Sequence, residues 1–398
     1  MATWQDNLLY VDRTARFTGR GLKMRETYID YGKALLTIMV ITVHAGLSGL
    51  NDWSYVRMIF FFFVTGYTYT VGKRSLADSV RRRFTGILLP FWKIMLISAF
   101  LDVIRAMYLG YGDYHIVKGD VMFAAYGSNL VPKCLPFSDF FTYDVLQRID
   151  KSVMPFSYEV ITPLNCHLWF LVAMFSGYAL FFTYMEKFRR RKAYDIPVIL
   201  LMLFIASLES PGTIQFPFSF GRGCLACACM IAAVNAKEWR LISTERMSRK
   251  AICALISVCV FAFANLQGAH KCAFILSLYG DGSFWSVLMT WLGGVSATIL
   301  ILYLMQVLEH YWTSPTLSFI GKNTMTLYLW NMIFNTIFSI LLLKITGSEM
   351  ALDSHDMSLF APDSYVFIAL TAALTVTTGT LMARYKKSHE GSLLAKII

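Results

Sequence analysis

Charged residues are scarce in this chain. Only 15% of its 398 residues are Asp, Glu, Lys or Arg, while 56% are hydrophobic and the mean hydropathy is +0.53. Soluble domains carry about 25% charged residues, so a single soluble core is excluded. Also missing is any apolar h-region in the first 25 or so residues, which are polar and basic. No signal peptide is therefore expected, and the chain is read as starting on the inner side. Met24 is a candidate start, with residues 1–27 as a cytoplasmic, disordered tail. No internal repeat and no pair of broken hydrophobic segments in corresponding halves is visible, which weakens a transporter reading. The eight cysteines show no disulfide framework. Cys224, Cys227 and Cys229 lack a second ligand pair for a metal and fit a small-residue helix interface. No metal site is expected. Cys134 and Cys166 share one outer loop and can pair in an oxidising compartment.

What the sequence does have is a succession of apolar runs long enough for a bilayer. A helix needs about 20 mainly apolar residues to cross, and about ten such spans are expected. They cover 29–50, 54–72, 86–110, 167–185, 194–209, 216–234, 250–266, 284–307, 323–345 and 364–382. The fold class is thus all-α and polytopic, with a transmembrane domain over 28–382, an outer loop near 111–166 and a basic tail at 383–398. The net charge of +11 is not spread evenly. Basic clusters at Arg13–Arg25, Lys73–Arg83, Lys187–Lys192, Lys237–Lys250 and Arg384–Lys387 alternate with loops carrying acids such as Glu349, Asp353, Asp356 and Asp363. This is the positive-inside pattern, so the basic excess reports topology and anionic lipid rather than nucleic acid. Both ends are expected in the cytoplasm. The aromatic-rich outer loop is long enough to cover an outward-facing site.

Inside the first apolar run, "YIDYGKALLTIMVITVHAG", lie Asp30, Lys33 and His44. Ionisable groups in hydrocarbon cost at least a few kcal/mol and are usually functional or paired. Lys33 and His44 are eleven residues apart, three helical turns plus about 20°, so they share a face about 16 Å apart along the axis. Asp30, Thr37, Val40 and Ile41 lie on that face too. Asp30 is one turn before Lys33 and is its expected ion-pair partner. The bland account has Lys33 reaching the headgroups and His44 bonded to a neighbouring helix. The functional one has His44 as a proton acceptor, the task its ring chemistry suits near neutral pH.

Further along stand "FFFFVTG", the basic run "VRRRFTGILLPFW", "HLWFLVAMF" from His167 to Phe175, and "IGKNTMTLYLWN" from Ile320 to Asn331. Together with the opening helix, these four elements in order resemble the acyltransferase 3 family of polytopic membrane O-acyltransferases. The resemblance spans nearly the whole chain from Tyr28. It implies transfer of an acyl group, most often acetyl from acetyl-CoA as co-substrate, to a hydroxyl of a cell-surface glycan or lipid-linked sugar. The implied location is the bacterial cytoplasmic membrane. In that reading His44 is the base or itself accepts the acyl group, and Lys33, Arg82 and Arg83 meet the CoA phosphates. For the arginines a plain topogenic role is the alternative. His167 and Trp169 are candidate acceptor contacts, with an interfacial anchor as the other reading of Trp169. Asn331 and Asn335, one turn apart, bond either acceptor or another helix. The sequence departs from the family pattern at three places: Asn331 stands where many members have histidine, Arg57 where one sugar-acetylating branch has histidine, and Gly86 where a basic residue is common. With no soluble domain expected after the last span, the chain is read as transferring directly or through a separate extracytoplasmic partner. The competing reading is a transporter or flippase of a glycolipid or polyanion.

Overall fold

A computed structural model describes residues 26–70, 75–109, 124, 130–132, 158–160, 166–189, 191–209, 216–243, 246–273, 278–279, 283–346, 365–389 and 391–392. The expected N-terminal tail up to residue 25, most of the outer loop, and Cys134 lie outside them. The helices are α1 (Thr27–His44), α2 (Ser54–Tyr67), α3 (Leu76–Arg83), α4 (Leu89–Leu109), α5 (Trp169–Thr183), α6 (Asp195–Leu208), α7 (Phe220–Glu238), α8 (Met247–Leu266), α9 (Phe284–Tyr311), α10 (Pro315–Lys322), α11 (Thr324–Thr346) and α12 (Tyr365–Ser388). Every expected span meets a helix. Among the described residues, however, five segments are long and apolar enough to cross a membrane on that criterion: Leu76–Leu101, Pro217–Glu238, Met247–Leu266, Phe284–Tyr311 and Tyr365–Ser388. The all-α fold class holds, with two short ribbons beside the helices among the described residues. Short antiparallel ribbons pair Leu130–Pro132 with Tyr158–Val160, and Cys272–Ala273 with Leu278–Tyr279.

The first two helices are shorter than the apolar runs that encode them, and α1 stops for a local reason. Gly46 takes φ 118, its N–H donates to Val43 O at 3.0 Å, and Leu47 N–H donates to Thr42 O at 3.2 Å. This is the glycine-terminated helix end in which the left-handed residue turns the chain and satisfies the last carbonyls. His44 is therefore the final helical residue rather than a mid-span one. The other ends follow equally local rules. Ser75, Ser283 and Ser314 cap α3, α9 and α10 by accepting a backbone N–H two or three residues into each helix, and Pro315 stands at the first position of α10, where its missing N–H costs nothing.

Packing sets a centre and a periphery. The helix α7, "FGRGCLACACMIAAVNAKE", is buried from Gly221 to Met230 and beyond, and it lies against α2, α5 and α6. Its glycines, alanines and cysteines let backbones approach, the mode of helix association that works in lipid. Gly66 of α2 rests on the Met230 backbone of α7, with no room for a Cβ. By contrast, α8 turns Ile252, Leu255, Ile256 and Phe263 outward, as a helix facing hydrocarbon should. The helix α1 packs against α9, α10, α11 and α12. Gly321 of α10 presses on the Asp30 backbone, and Ser314 N–H donates to Tyr31 Oη at 2.7 Å.

Candidate active site

His44 comes to the site on the last turn of α1, which two other helices hold. Asn335 of α11 donates from Nδ2 to Ile41 O at 3.2 Å, and Thr375 of α12 donates to Asn335 Oδ1 at 2.6 Å. Of the two roles open to Asn335, the structure thus shows the helix bond. The turn is fixed by its own backbone on one side and by an amide on the other.

The His44 ring lies against the His167 ring, centroids 4.9 Å apart and planes tilted by 52°. Their separation in sequence hides this pairing. His167 sits in the short 3-10 turn Cys166–Leu168 that opens α5 and is 3% exposed. Its Nε2 is 3.5 Å from Tyr328 O and 3.4 Å from Asn331 Nδ2. One nitrogen cannot donate to the carbonyl and accept from the amide at once, so the tautomer selects between them. Its Nδ1 is buried with no hydrogen-bond partner, as is Asn331 Oδ1. Tyr328 completes the clamp, donating from its hydroxyl to His167 O at 3.0 Å, while Asn331 Nδ2 also donates to Tyr328 O at 3.2 Å. Asn331 therefore belongs to the site as a support of His167.

Behind these groups stands the phenylalanine run. Read by itself it suggests lipid-facing bulk, but Phe60, Phe61, Phe62 and Phe63 are all buried. Phe62 stacks on Phe170 at 5.1 Å and Phe170 meets Tyr328 at 5.4 Å. The wall keeps the His167 and Tyr328 rings in one place and excludes water from that side. Trp169, next in the chain, is buried beneath Arg222, whose guanidinium lies 4.6 Å from the indole centroid. That contradicts the interfacial-anchor reading, because an anchor would be partly exposed. Arg222 N–H in turn donates to the buried Glu209 carboxylate at 3.0 Å, so an acidic group closes the N-terminus of α7, where the helix dipole favours it.

One further cation reaches this region. Arg57, one turn into α2, is 4% exposed and acts electrostatically on both His44 and Tyr328. Its Nε and Nη1 are buried without hydrogen-bond partners. Sequence reasoning registered Arg57 only as a departure and did not place Tyr328 at all.

At the other end of α1, Lys33 Nζ is 4.0 Å from Asp30 Oδ1; the lysine side chain is 22% exposed and the aspartate 1%. The expected ion pair is present. Thr37 lies between this pair and His44, buried, with its hydroxyl unpartnered. The stripe of Asp30, Thr37, Val40 and Ile41 faces the protein interior. Arg82 and Arg83 occupy the last turn of α3, and the Arg83 guanidinium lies 4.0 Å from the Tyr178 ring centroid of α5. The structure thus gives Arg83 and Lys33 separate partners on separate helices. An apolar cavity of about 1020 Å³, lined by Phe84, Leu88, Trp92, Phe175 and Phe218 among others, includes neither His44 nor His167. Its walls suit hydrocarbon. No group of three or more metal-binding side chains occurs among the described residues, and Cys224, Cys227 and Cys229 are free and buried.

Neither a curated protein nor a solved structure matches the chain. One family model does: that of the acyltransferase domain of the acyltransferase 3 type, over residues 26–384. The match covers nearly the whole chain, and the protein belongs to that family.

Proposed function

From that membership we propose that the protein is a membrane O-acyltransferase that moves an acyl group, acetyl in the simplest case, from acyl-CoA to a hydroxyl of a glycan or lipid-linked sugar. The observation that carries this reading is the position of His44. It closes a helix that bears Lys33 three turns earlier, and it packs on the buried His167, held by Tyr328 and Asn331. A sugar hydroxyl is a weak nucleophile at neutral pH and needs a base within hydrogen-bond reach. In this reading the hydroxyl loses its proton to His44 as its oxygen attacks the thioester carbonyl. The C–S bond then breaks, the ester forms, and the CoA sulfur takes the proton from His44.

The polyanionic head of CoA meets Lys33, assisted by Arg82 and Arg83, at the cytoplasmic side. Its extended pantetheine arm runs past Thr37 along α1, and the separation of roughly 16 Å along the helix matches such an arm better than a compact ligand. The acceptor enters from the opposite, His44 end. Both chain ends lie in the cytoplasm on this reading, the number of membrane crossings is about ten, and the bacterial cytoplasmic membrane is the host. Anionic lipids surround the basic clusters. No observation favours the transporter reading specifically.

The test is transfer of radiolabel from acetyl-CoA by purified protein in nanodiscs, with a mixed pool of lipid-linked and free glycans. Label should enter glycan with the wild type and not with His44→Ala. If folded wild type neither binds nor turns over acetyl-CoA or longer acyl-CoAs with any acceptor, the proposal fails.

A further inference from the structure

Arg57 is, among the described residues, a buried cation within electrostatic reach of His44 and Tyr328 that acyl transfer by His44 leaves without a task. A guanidinium taken out of water is costly unless it is paired and hydrogen-bonded, yet this one is 4% exposed with Nε and Nη1 unpartnered. Such a group persists where something negative is to be met. The nearby polar groups do not provide it. Tyr328 spends its hydroxyl proton on His167 O, and Asn331 Nδ2 donates to Tyr328 O, leaving Asn331 Oδ1 as an acceptor that repels an anion. Among the described residues that act on His44, then, Arg57 is the one with N–H donors to spare.

We infer that Arg57 is a further catalytic residue, whose guanidinium holds the oxyanion formed when the acceptor hydroxyl adds to the thioester carbonyl. The inference rests on the acyl-transfer reading. As the hydroxyl oxygen bonds to the carbonyl carbon, its proton passes to His44 and the C=O electron pair moves onto the carbonyl oxygen. That oxygen is two bonds from the attacking atom, so a donor near the base is also near the oxyanion. Arg57 stabilises the charge with N–H groups already desolvated and in place, which is where preorganised donors act most strongly. When the C=O bond re-forms, the C–S bond breaks, and the sulfur leaves with the proton from His44. A fixed negative group on the acceptor, bound in the ground state, is the rival occupant. It would strengthen binding equally before and during reaction and so would appear in KM, not kcat.

The experiment compares wild type, Arg57→Gln and Arg57→Lys in nanodiscs, with kcat and KM measured separately for acetyl-CoA and for neutral and acidic acceptors. Arg57→Gln should lower kcat by about 10²–10³-fold with KM values within about twofold, on both classes of acceptor. Arg57→Lys should recover part of that loss, and added guanidinium ion should raise the rate of Arg57→Ala but not of wild type. The inference is overturned if kcat is unchanged, if the whole loss lies in KM for acidic acceptors, or if Gln and Lys variants alike fail to fold. A folded wild type with no turnover removes the acyl-transfer reading and this inference together. An active wild type beside an equally active Arg57→Gln removes only the inference.

Discussion

The two ends of α1 hold their ionisable residues by different means. At the Lys33 end the ammonium is partly exposed, sits 4.0 Å from a buried carboxylate, and is reached from outside the bundle. At the His44 end the ring lies in an aromatic setting, its helix turn is tied by Asn335 and Thr375, and its neighbour His167 is clamped by Tyr328 and Asn331. A long flexible side chain with one nearby carboxylate can follow a ligand. A short ring between packed helices cannot. On the proposed function the Lys33 end governs how tightly the donor binds, and the His44 end governs how fast it reacts.

The largest expected effect breaks the His44 end outright. His44→Ala should lower kcat by roughly 10³-fold or more, within the 10²–10⁴ range that a positioned general base supplies, with thermal stability and acyl-CoA affinity near wild type. A variant retaining a tenth of wild-type kcat would move the base elsewhere, His167 being the next ring. Smaller, but on the same side, is Asn331→Leu. It removes the amide donor, so the His167 Nε2 keeps Tyr328 O as its partner and loses the tautomer that accepts from Asn331. A fall in kcat of roughly 10–30-fold, or about 1.4–2 kcal/mol of barrier, should appear in steady-state kinetics with KM for acyl-CoA unchanged.

The opposite signature is expected at the other end. Lys33→Met should raise KM for acyl-CoA roughly 5–10-fold, about the value of one charge-assisted contact, with kcat within twofold of wild type. Lys33→Arg should restore most of the affinity, because a phosphate accepts either cation. Equal losses of kcat in Lys33→Met and Asn331→Leu would show that the two ends of α1 are not separate in function.

The Lys33 and His44 pair was legible in one dimension because both residues lie on one helix, where an eleven-residue spacing fixes a common face. The end of α1 was not read: the span was expected to run to residue 50, whereas the helix stops at His44, where the "HAG" tripeptide supplies the glycine of a left-handed terminus. What surrounds His44 was not legible either. His167 and Asn331 are 164 residues apart, and helix periodicity is silent on which helices become neighbours. His167 and Trp169 were singled out for their place at the start of a span, yet Trp169 proved to be packed under Arg222 rather than set at an interface. Phe60 to Phe63, taken alone, are ambiguous in sequence for a related reason. In lipid-facing and protein-facing helices alike the apolar side chains look the same, since hydrocarbon and a protein interior reward them equally. Small residues are the better guide: the segment around Cys224, Cys227 and Cys229 was read as a helix interface, and α7 is buried there. Arg57 was registered only as a departure from the family pattern; its burial and unpartnered N–H groups are what set it apart.

The smallest expected effect sharpens the comparison by separating support from chemistry within the His44 end. Thr375→Val keeps the side-chain shape but deletes the hydroxyl that donates to Asn335 Oδ1 at 2.6 Å. The amide oxygen is then left buried without that donor, a loss of about 1–3 kcal/mol, and the thermal midpoint in nanodiscs should drop by a few degrees. Catalysis should change less than about threefold, because Asn335 Nδ2 still meets Ile41 O and the glycine-terminated turn still fixes where α1 stops. A kcat loss as large as that of Asn331→Leu would mean that the α12 contact sets the His44 ring itself. The last turn of α1 would then be positioned by its neighbours more than by its own sequence.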